Sequence, residues 1–252
     1  MSPWAALAVF AAGLAAGTAN VIVGAGSLVT FPVLLALGYG PVVANVSNNV
    51  GLIPGNVSGV IAYRRELTGQ RSRAVVLGSA SAAGAVAGAL GLLVLPASVF
   101  RDAVPGLILF AAVLMALQPR LVRAVERRRG RTGDGGVALA VGVFLTGVYG
   151  GYFGAAQGVV LIALLAVLID DGLQRLNAVK NVLAMVVNAV AGVVFVLLSH
   201  VAWPVAGLIA AGSIIGGQVG GRIGQRLPAE TLRWVIVVVG TAVAVALAVA
   251  WF

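Results

Sequence analysis

Cysteine is absent from this 252-residue chain, and only 9% of its residues are charged. Without cysteine there is no disulfide, no thiolate metal site and no thiol redox chemistry. Soluble domains contain about 25% charged residues, so the low charge content excludes a soluble enzyme and a disordered chain. One histidine and seven acidic residues leave the apolar segments without a cluster that could bind a metal or act as acid and base. We therefore expect no enzymatic activity, no metal and no cofactor.

The chain is instead dominated by apolar residues, which make up 61% of it. Long stretches contain no Asp, Glu, Lys or Arg, namely 1–63, 74–100, 135–169, 181–221 and 234–252. A helix needs about 20 apolar residues to cross a bilayer, so these stretches together hold several spans. We predict an all-α polytopic membrane protein embedded in a lipid bilayer.

Glycine and proline clusters, together with the charges, divide the sequence into ten apolar segments. They are 3–22, 27–38, 41–63, 74–95, 98–118, 136–153, 157–169, 173–198, 202–225 and 230–252. The second and seventh are too short to cross a bilayer easily, so we interpret them as re-entrant pieces or as halves of broken helices. Two counts remain open: eight full spans with two short pieces, or ten spans.

The two halves of the chain resemble each other at regular offsets, which indicates an internal repeat. At an offset of 130, Gly17, Gly24, Ala25, Leu34, Leu35 and Ala36 match Gly147, Gly154, Ala155, Leu164, Leu165 and Ala166. At an offset of 132, Asn45, Asn49, Asn56, Ser81, Gly84, Gly88, Pro96 and Arg101 match Asn177, Asn181, Asn188, Ser213, Gly216, Gly220, Pro228 and Arg233. We expect one membrane domain built from a first repeat at 1–118, a basic linker at 119–135 and a second repeat at 136–252.

Each repeat contains five segments, an odd number, so the second repeat enters the membrane inverted relative to the first. Inverted repeats with interrupted helices are a hallmark of secondary transporters, whose substrate site lies near the membrane midplane where the repeats meet. This pattern is the main functional indication in the residues themselves.

The net charge of +9 does not indicate nucleic-acid binding, because the basic residues stand between the apolar segments. If the segments simply alternate, fourteen arginines fall on one side of the membrane and only Arg101 on the other. Cytoplasmic loops carry an excess of Lys and Arg. We therefore assign the arginine-rich side, with the 119–135 linker, to the cytoplasm of a cell membrane.

The two predicted helix breaks, one in each repeat, are candidates for the substrate site. A chain that stops and restarts at membrane depth must line a cavity or be covered by protein, and a restarting helix offers unpaired N–H groups to an anion. The alternative is that the glycines only permit tight helix packing. The candidate residues at the breaks are Gly24, Gly26, Ser27, Gly154 and Gln157.

Asparagines form a polar face on the third segment, and the eighth segment repeats it. The spacing of i, i+4 and i+11 places them on one side of a helix. We expect substrate contacts from Asn45, Asn48, Asn49, Asn177 and Asn181, with hydrogen bonding between helices as the alternative. For Asn56 and Asn188, which lie deeper along their helices, we expect the interhelical bonds.

Lys180 is the only lysine in the chain and the only charge well inside a predicted span. Charges inside a membrane are costly and mark functional sites by default. A membrane interior with a cation and no carboxylate suits an anionic substrate. The alternative is that the Lys180 side chain reaches the cytoplasmic surface.

The order of these motifs resembles the TauE/SafE family of sulfite and organosulfonate transporters. The resembling residues are Gly24-Ala25-Gly26-Ser27-Leu28 before Phe31-Pro32, Ala62-Tyr63-Arg64-Arg65, Asn177-Ala178-Val179-Lys180-Asn181 through Asn188, and Gly220-Gly221-Arg222 before Leu227-Pro228. The resemblance covers nearly the whole chain. It implies a bacterial plasma-membrane carrier for small sulfur-containing anions such as sulfite, sulfonates, sulfoacetate or thiosulfate.

We therefore expect a secondary transporter that moves a small sulfur-containing anion by alternating access. A passive anion channel and a membrane subunit of a larger complex are the alternatives. The sequence leaves open the identity of the anion, import or export, a coupled ion and the oligomeric state, including a homo-oligomer.

Overall fold

The computed structural model of the chain describes residues 1–126, 136–223 and 229–251, which form ten helices and no strand. The helices are α1 (Pro3–Ile22), α2 (Ser27–Ala36), α3 (Pro41–Ala62), α4 (Arg71–Val94), α5 (Ala97–Glu126), α6 (Gly136–Tyr152), α7 (Gln157–Leu168), α8 (Leu173–Leu198), α9 (Trp203–Ile223) and α10 (Ala229–Trp251). Within the described ranges, five helices (α1, α4, α5, α8 and α9) are long and apolar enough to cross a bilayer. The expected all-α polytopic membrane fold is confirmed.

The second and seventh helices are the short ones that the sequence predicts. α2 has 10 residues and α7 has 12. At 1.5 Å per residue they are about 15 and 18 Å long, against a hydrocarbon core of about 30 Å. Neither can cross alone. The chain leaves the axis of the preceding helix at the first break, because a Cβ atom on Gly26 at the start of α2 would lie 2.3 Å from the Ala16 carbonyl oxygen of α1.

Two helices extend beyond their predicted ends. α4 begins at Arg71 rather than at 74, and α5 continues to Glu126, well into the expected linker. The hydropathy pattern ends an apolar segment near the first arginine. Arg, Leu, Ala and Glu are all good helix formers, so the helix itself can extend beyond the apolar segment. The rest of the expected linker, 127–135, and the connection at 224–228 lie outside the described residues.

The helices of the two halves interlock. α1 and α3 both pack against α9, while α6 and α8 both pack against α4. α2 contacts α10 and α7 contacts α5. These contacts interchange when α1–α5 are exchanged for α6–α10, as a two-fold relation between the halves requires. The fourth helix of each half therefore packs between the first and third helices of the other.

Glycines bring these interlocked helices into backbone contact. A Cβ atom on Gly216 of α9 would lie 2.0 Å from the Leu14 carbonyl oxygen of α1. A Cβ atom on Gly84 of α4 would lie 2.2 Å from the Phe144 carbonyl oxygen of α6. These two contacts match each other at the offsets of 132 and 130 found in the sequence. Small residues at such crossings let helix backbones approach closely in membranes.

Asp171, in the connection between α7 and α8, joins the starts of α4 and α8. Its carboxylate accepts hydrogen bonds from Arg73 Nη1 at 3.0 Å, Arg175 Nε at 2.9 Å and the Gly172 N–H at 2.7 Å. Partial burial raises the pKa of Asp171, but the Gly172 N–H and the two guanidinium groups outweigh that effect and lower it below the ordinary value.

The Gly216→Ala variant is expected to unfold at a lower temperature than wild type. The added methyl group meets the α1 backbone, and overpacking of this kind costs about 1–3 kcal/mol. Gly207→Ala on the same helix is the matched control, because a Cβ atom there meets nothing within 4 Å. It should be neutral or stabilising, since alanine is the better helix former. Thermal unfolding in detergent measures both, and equal melting temperatures would contradict the close packing.

The Asp171→Asn variant is expected to be less stable than wild type by about 1–2 kcal/mol near neutral pH, a value reduced for the partial exposure of the three side chains. Since the folded-state pKa is lowered, the stabilisation is complete above the ordinary carboxyl pKa and is lost as the pH falls through the folded-state pKa. Melting temperatures of the two proteins should therefore converge toward acid pH. A difference that stays constant with pH would exclude the charged interaction.

Candidate functional site

The first helix break lies between α1 and α2, and Gly24 forms its turn. The N–H groups of Val23 and Gly24 both donate to the Ala19 carbonyl oxygen at 2.9 Å, which closes the last turn of α1. Gly24 then takes a φ of 81°, a conformation that favours glycine. This is a common way for a helix to end, here placed in the protein interior.

The second break, between α6 and α7, has the same construction. Phe153 and Gly154 donate to the Tyr149 carbonyl oxygen at 2.9 and 3.1 Å, and Gly154 has a φ of 75°. The Tyr149 hydroxyl group donates to the Ala155 carbonyl oxygen at 2.6 Å and holds the chain after the turn. The two matching breaks predicted from the repeat are therefore both present.

The two breaks touch each other at the interface between the halves. The Gly158 N–H of α7 donates to the Gly24 carbonyl oxygen at 3.0 Å. A Cβ atom on either glycine would lie 2.4 Å from the Cα atom of the other. Backbone groups freed by the breaks thus satisfy each other across the interface, as groups excluded from water require.

Protein groups occupy part of the N-termini of the restarting helices. The Asn20 side chain of α1 accepts from the Gly26 N–H at 2.7 Å, and Gly24 accepts from Gly158 as described. Ser27 does not cap α2. Its hydroxyl group accepts from Asn48 Nδ2 at 3.1 Å, and Asn48 is also hydrogen-bonded to Thr30. The first-turn amides of α2 and α7 are therefore less open to a ligand than the sequence alone indicates.

The first asparagines of α3 and α8 each bind the opposite repeat's broken helix. Asn45 Nδ2 donates to the Tyr152 carbonyl oxygen at the end of α6, at 3.0 Å. Asn177 Nδ2 donates to the Val21 carbonyl oxygen at the end of α1, at 3.4 Å. Carbonyl groups in the last turn of a helix lack partners within that helix. These two asparagines supply the missing donors.

Lys180 lies in the interior and does not reach the surface. The residue is 1% exposed, and its Nζ donates to the carbonyl oxygens of Asn20 at 3.1 Å and Val21 at 3.2 Å. The ammonium group therefore sits at the C-terminal end of α1, where the helix dipole favours a positive charge. The alternative in which Lys180 extends to the cytoplasmic surface does not fit this geometry.

The deeper asparagines form bonds between helices, as expected. Asn188 accepts from Asn49 Nδ2 at 3.1 Å, and Asn56 accepts from Asn20 Nδ2 at 3.2 Å. Asn20 was not identified from the sequence, although an asparagine in the first apolar segment was a signal that could have revealed it. It has no counterpart in the second half, where Gly150 occupies the matching position.

Some amide groups beside the breaks remain without a partner in the described part of the chain. Gln157 and Asn181 are 4% and 5% exposed, and neither Gln157 Nε2 nor Asn181 Nδ2 has a hydrogen-bond acceptor. Asn56 Nδ2 is a third such donor, whereas Asn49 Oδ1 is an unpaired acceptor. Buried polar groups are normally hydrogen-bonded, so unpaired donors mark a place where a ligand or water can bind.

A difference between the repeats explains why Gln157 Nε2 is unpaired. In the first half, Ser27, Thr30 and Asn48 satisfy one another. The matching positions in the second half are Gln157, Val160 and Lys180. Lysine has no acceptor atom, so the second half lacks the acceptor that Asn48 Oδ1 provides in the first half, and Gln157 Nε2 has no acceptor among the described residues. The break in the second half therefore offers an unpaired donor to a ligand, which the break in the first half does not.

A cavity of about 610 Å³ lies at the arginine-rich end of α3 and α9. Its lining includes Tyr63, Arg64, Arg65, Gln218 and Arg222. Tyr63 is only 2% exposed and packs with Val21 and Ala178. Its ring thus stands between this cavity and the groups around the end of α1.

The described residues contain no cluster of three or more His, Asp or Glu side chains that could hold a metal. The groups gathered at the two breaks are instead amides, hydroxyls, backbone carbonyls and one ammonium. Such a set can bind a small polar or anionic molecule by hydrogen bonds and charge.

Comparison with curated proteins finds relatives along most of the chain. A probable membrane transporter protein, ORF9, of a Sinorhizobium species is 28% identical over 238 residues, covering 94% of this chain and 90% of that protein. The probable membrane transporter protein YfcA of Escherichia coli K12 is 26% identical over 239 residues, covering 95% and 88%. A probable membrane transporter protein of Haemophilus influenzae is 28% identical over 213 residues, covering 82% and 80%.

No solved structure matches the chain. The family described as sulfite exporter TauE/SafE matches residues 9–247, which include both breaks, both asparagine faces and Lys180. The match reaches into all ten helices, and the chain belongs to the TauE/SafE family.

Proposed function

We propose that this protein is a secondary transporter that moves a small sulfur-containing oxyanion, of the sulfite, sulfonate, sulfoacetate or thiosulfate class, across a bacterial plasma membrane by alternating access. The observation that carries the proposal is the pair of buried, unpaired amide donors, Gln157 Nε2 and Asn181 Nδ2, in the same membrane interior as the Lys180 ammonium. The family and the transporter names of the relatives support the same function.

The electrostatics of the interior favour an anion. Lys180 is the charged residue among the buried polar residues of the described chain, and no Asp or Glu is among them. In a low-dielectric interior, a nearby positive charge strengthens the binding of an anion much more than it does in water. A deprotonated sulfur oxyanion presents only acceptor oxygens, which match unpaired N–H donors.

The asparagine faces have a supporting part in this proposal. Asn45, Asn48 and Asn177 hold the ends of the broken helices, while Asn49 and Asn181 carry the unpaired polar atoms. Gly24, Gly26 and Gly154 shape the turns that bring these side chains to the interface. The substrate therefore contacts the break in the second half, and the break in the first half supports the second one.

Alternating access needs a barrier on each side of the site, and two aromatic side chains provide them in this proposal. Tyr63 separates the arginine-lined cavity from Ala178 and from Val21 at the end of α1. Phe195 occupies the matching position at the offset of 132 and is completely buried. The arginine-rich end faces the cytoplasm, so Tyr63 forms the inner barrier and Phe195 the outer one.

A passive anion channel and a membrane subunit of a larger complex are the competing functions. A channel would carry labelled anion without counterflow, that is, without transient uphill uptake driven by unlabelled anion on the other side. A subunit would be inactive alone and would copurify with partners. Both are distinguished from a carrier by reconstitution of the purified chain.

Wild-type protein in liposomes is expected to take up labelled sulfite, sulfoacetate or taurine with saturation and counterflow. Asn181→Leu and Gln157→Met remove one donor each at nearly constant volume. Each should raise the KM for the anion roughly tenfold to a hundredfold, the effect of losing one hydrogen bond to a charged group.

Gln118→Ala, which removes an amide on α5 outside both breaks, is the matched control and should leave the KM unchanged. Absence of saturable flux for every sulfur anion would refute the substrate class. A KM that is unchanged in both site variants would refute the proposed contacts.

Tyr63→Ala is expected to open the interior to the arginine-lined cavity. Because the chain contains no cysteine, a single Ala178→Cys substitution gives a clean reporter beside Tyr63. Labelling by a membrane-impermeant thiol reagent from the arginine-rich side should accelerate roughly tenfold or more in the Tyr63→Ala background, because the local closed state is lost.

Tyr63→Phe retains the ring and should keep the slow labelling rate. A reporter that is labelled equally fast with and without the Tyr63 ring would show that this side chain is not a barrier.

A further inference from the structure

The C-terminal end of α1 forms a group of carbonyl oxygens inside the protein. The helix ends at Ile22, and the chain turns away at Gly24. The Ala19 carbonyl oxygen is satisfied by the two N–H groups of the turn, but those of Asn20 and Val21 receive side-chain donors from α8. This end therefore combines buried carbonyl oxygens that lack partners within α1 with the negative end of the helix dipole.

The Lys180 ammonium binds to these oxygens in the way a small cation would. Its Nζ is 3.1 Å from the Asn20 oxygen and 3.2 Å from the Val21 oxygen, and the residue is 1% exposed. Asn177 completes the set by donating to the Val21 oxygen at 3.4 Å. No buried carboxylate is present among the described residues to act as its counter-ion. The backbone carbonyls serve that purpose.

The matching end of α6 lacks this charge. There Asn45 Nδ2 donates to the Tyr152 oxygen, and Asn48 occupies the position that corresponds to Lys180. Asn48 is bonded to Ser27 and Thr30 of its own half. The end of α1 is thus bound by a full positive charge, whereas the equivalent end of α6 is bound only by a neutral amide.

In transporters with discontinuous helices, unwound carbonyls and the C-terminal ends of half-helices coordinate the coupling cation. We propose that the Lys180 ammonium is a tethered cation that occupies this position at the end of α1, so that the protein itself supplies the positive charge that a soluble Na⁺ or K⁺ would bring. The inference rests on the proposed function and makes Lys180 a positioning residue for the anion site. Two consequences follow: wild-type transport needs no Na⁺ or K⁺, and removing the side chain creates an empty cation site.

The test replaces the side chain by a soluble cation of the same shape. Lys180→Ala removes three carbons and the ammonium group, and n-propylammonium chloride restores both. The first readout is the melting temperature of the purified variant, which should rise saturably by roughly 3 °C at about tenfold the dissociation constant. n-Propanol, which has the same shape without the charge, should give no such rise.

The second readout is the anion uptake of the variant in liposomes, which n-propylammonium should restore and n-propanol should not. Lys180→Gln keeps a hydrogen-bond donor without the charge, so it should fold normally and yet show a KM for the anion raised roughly tenfold. Asn177→Ala is the matched control, because it removes a neutral donor from the same carbonyl. Its uptake should not respond to n-propylammonium.

Each outcome decides the inference. A folded Lys180→Ala protein that gains neither stability nor uptake from n-propylammonium overturns it, and so does a Lys180→Gln protein with the wild-type KM. If neither variant folds, wild-type uptake in buffer without Na⁺ and K⁺ is the deciding measurement, and a requirement for either ion overturns the inference. If the wild type carries no sulfur anion, the proposed function fails, and the melting-temperature experiment still tests the cation site.

Discussion

Two helices break inside a membrane protein, and every backbone group freed by the breaks needs a partner that water cannot supply. Several of the polar residues in the interior meet this constraint. The breaks bond to each other through Gly158 and Gly24, and asparagines from α3 and α8 reach the end of the opposite broken helix. The asparagine faces that mark the sequence are therefore first of all a means of closing the breaks.

The interlocked packing of the halves makes this closure possible. Because α4 packs between α6 and α8, and α9 between α1 and α3, neither half has a complete environment of its own. Glycine contacts repeat at matching positions. Gly84 brings α4 against α6, and Gly216 brings the equivalent helices α9 and α1 together. Such an arrangement holds the two breaks against each other at the interface between the halves.

The site that we propose lies where the two halves differ. Asn20 has glycine as its counterpart, and Asn48 has Lys180. Lys180 binds to the end of α1 and has no acceptor atom, so the second half lacks the acceptor that Asn48 Oδ1 provides in the first, and the buried Gln157 donor has no acceptor among the described residues. The anion site that we propose is thus a consequence of broken symmetry, and it carries the one buried cation of the described residues at its edge.

The sequence by itself determined the ten segments, the two short helices, the paired breaks and the repeat, because hydropathy and glycine position act locally along the chain. It also indicated that Asn56 and Asn188 join helices. It did not determine that Asn20 would accept from the Gly26 N–H, that Ser27 would accept from Asn48, or that Lys180 would bind to α1. Each of these contacts joins residues from different helices. Only the tertiary structure decided them, since a buried donor binds to whichever acceptor the packing of distant helices places beside it.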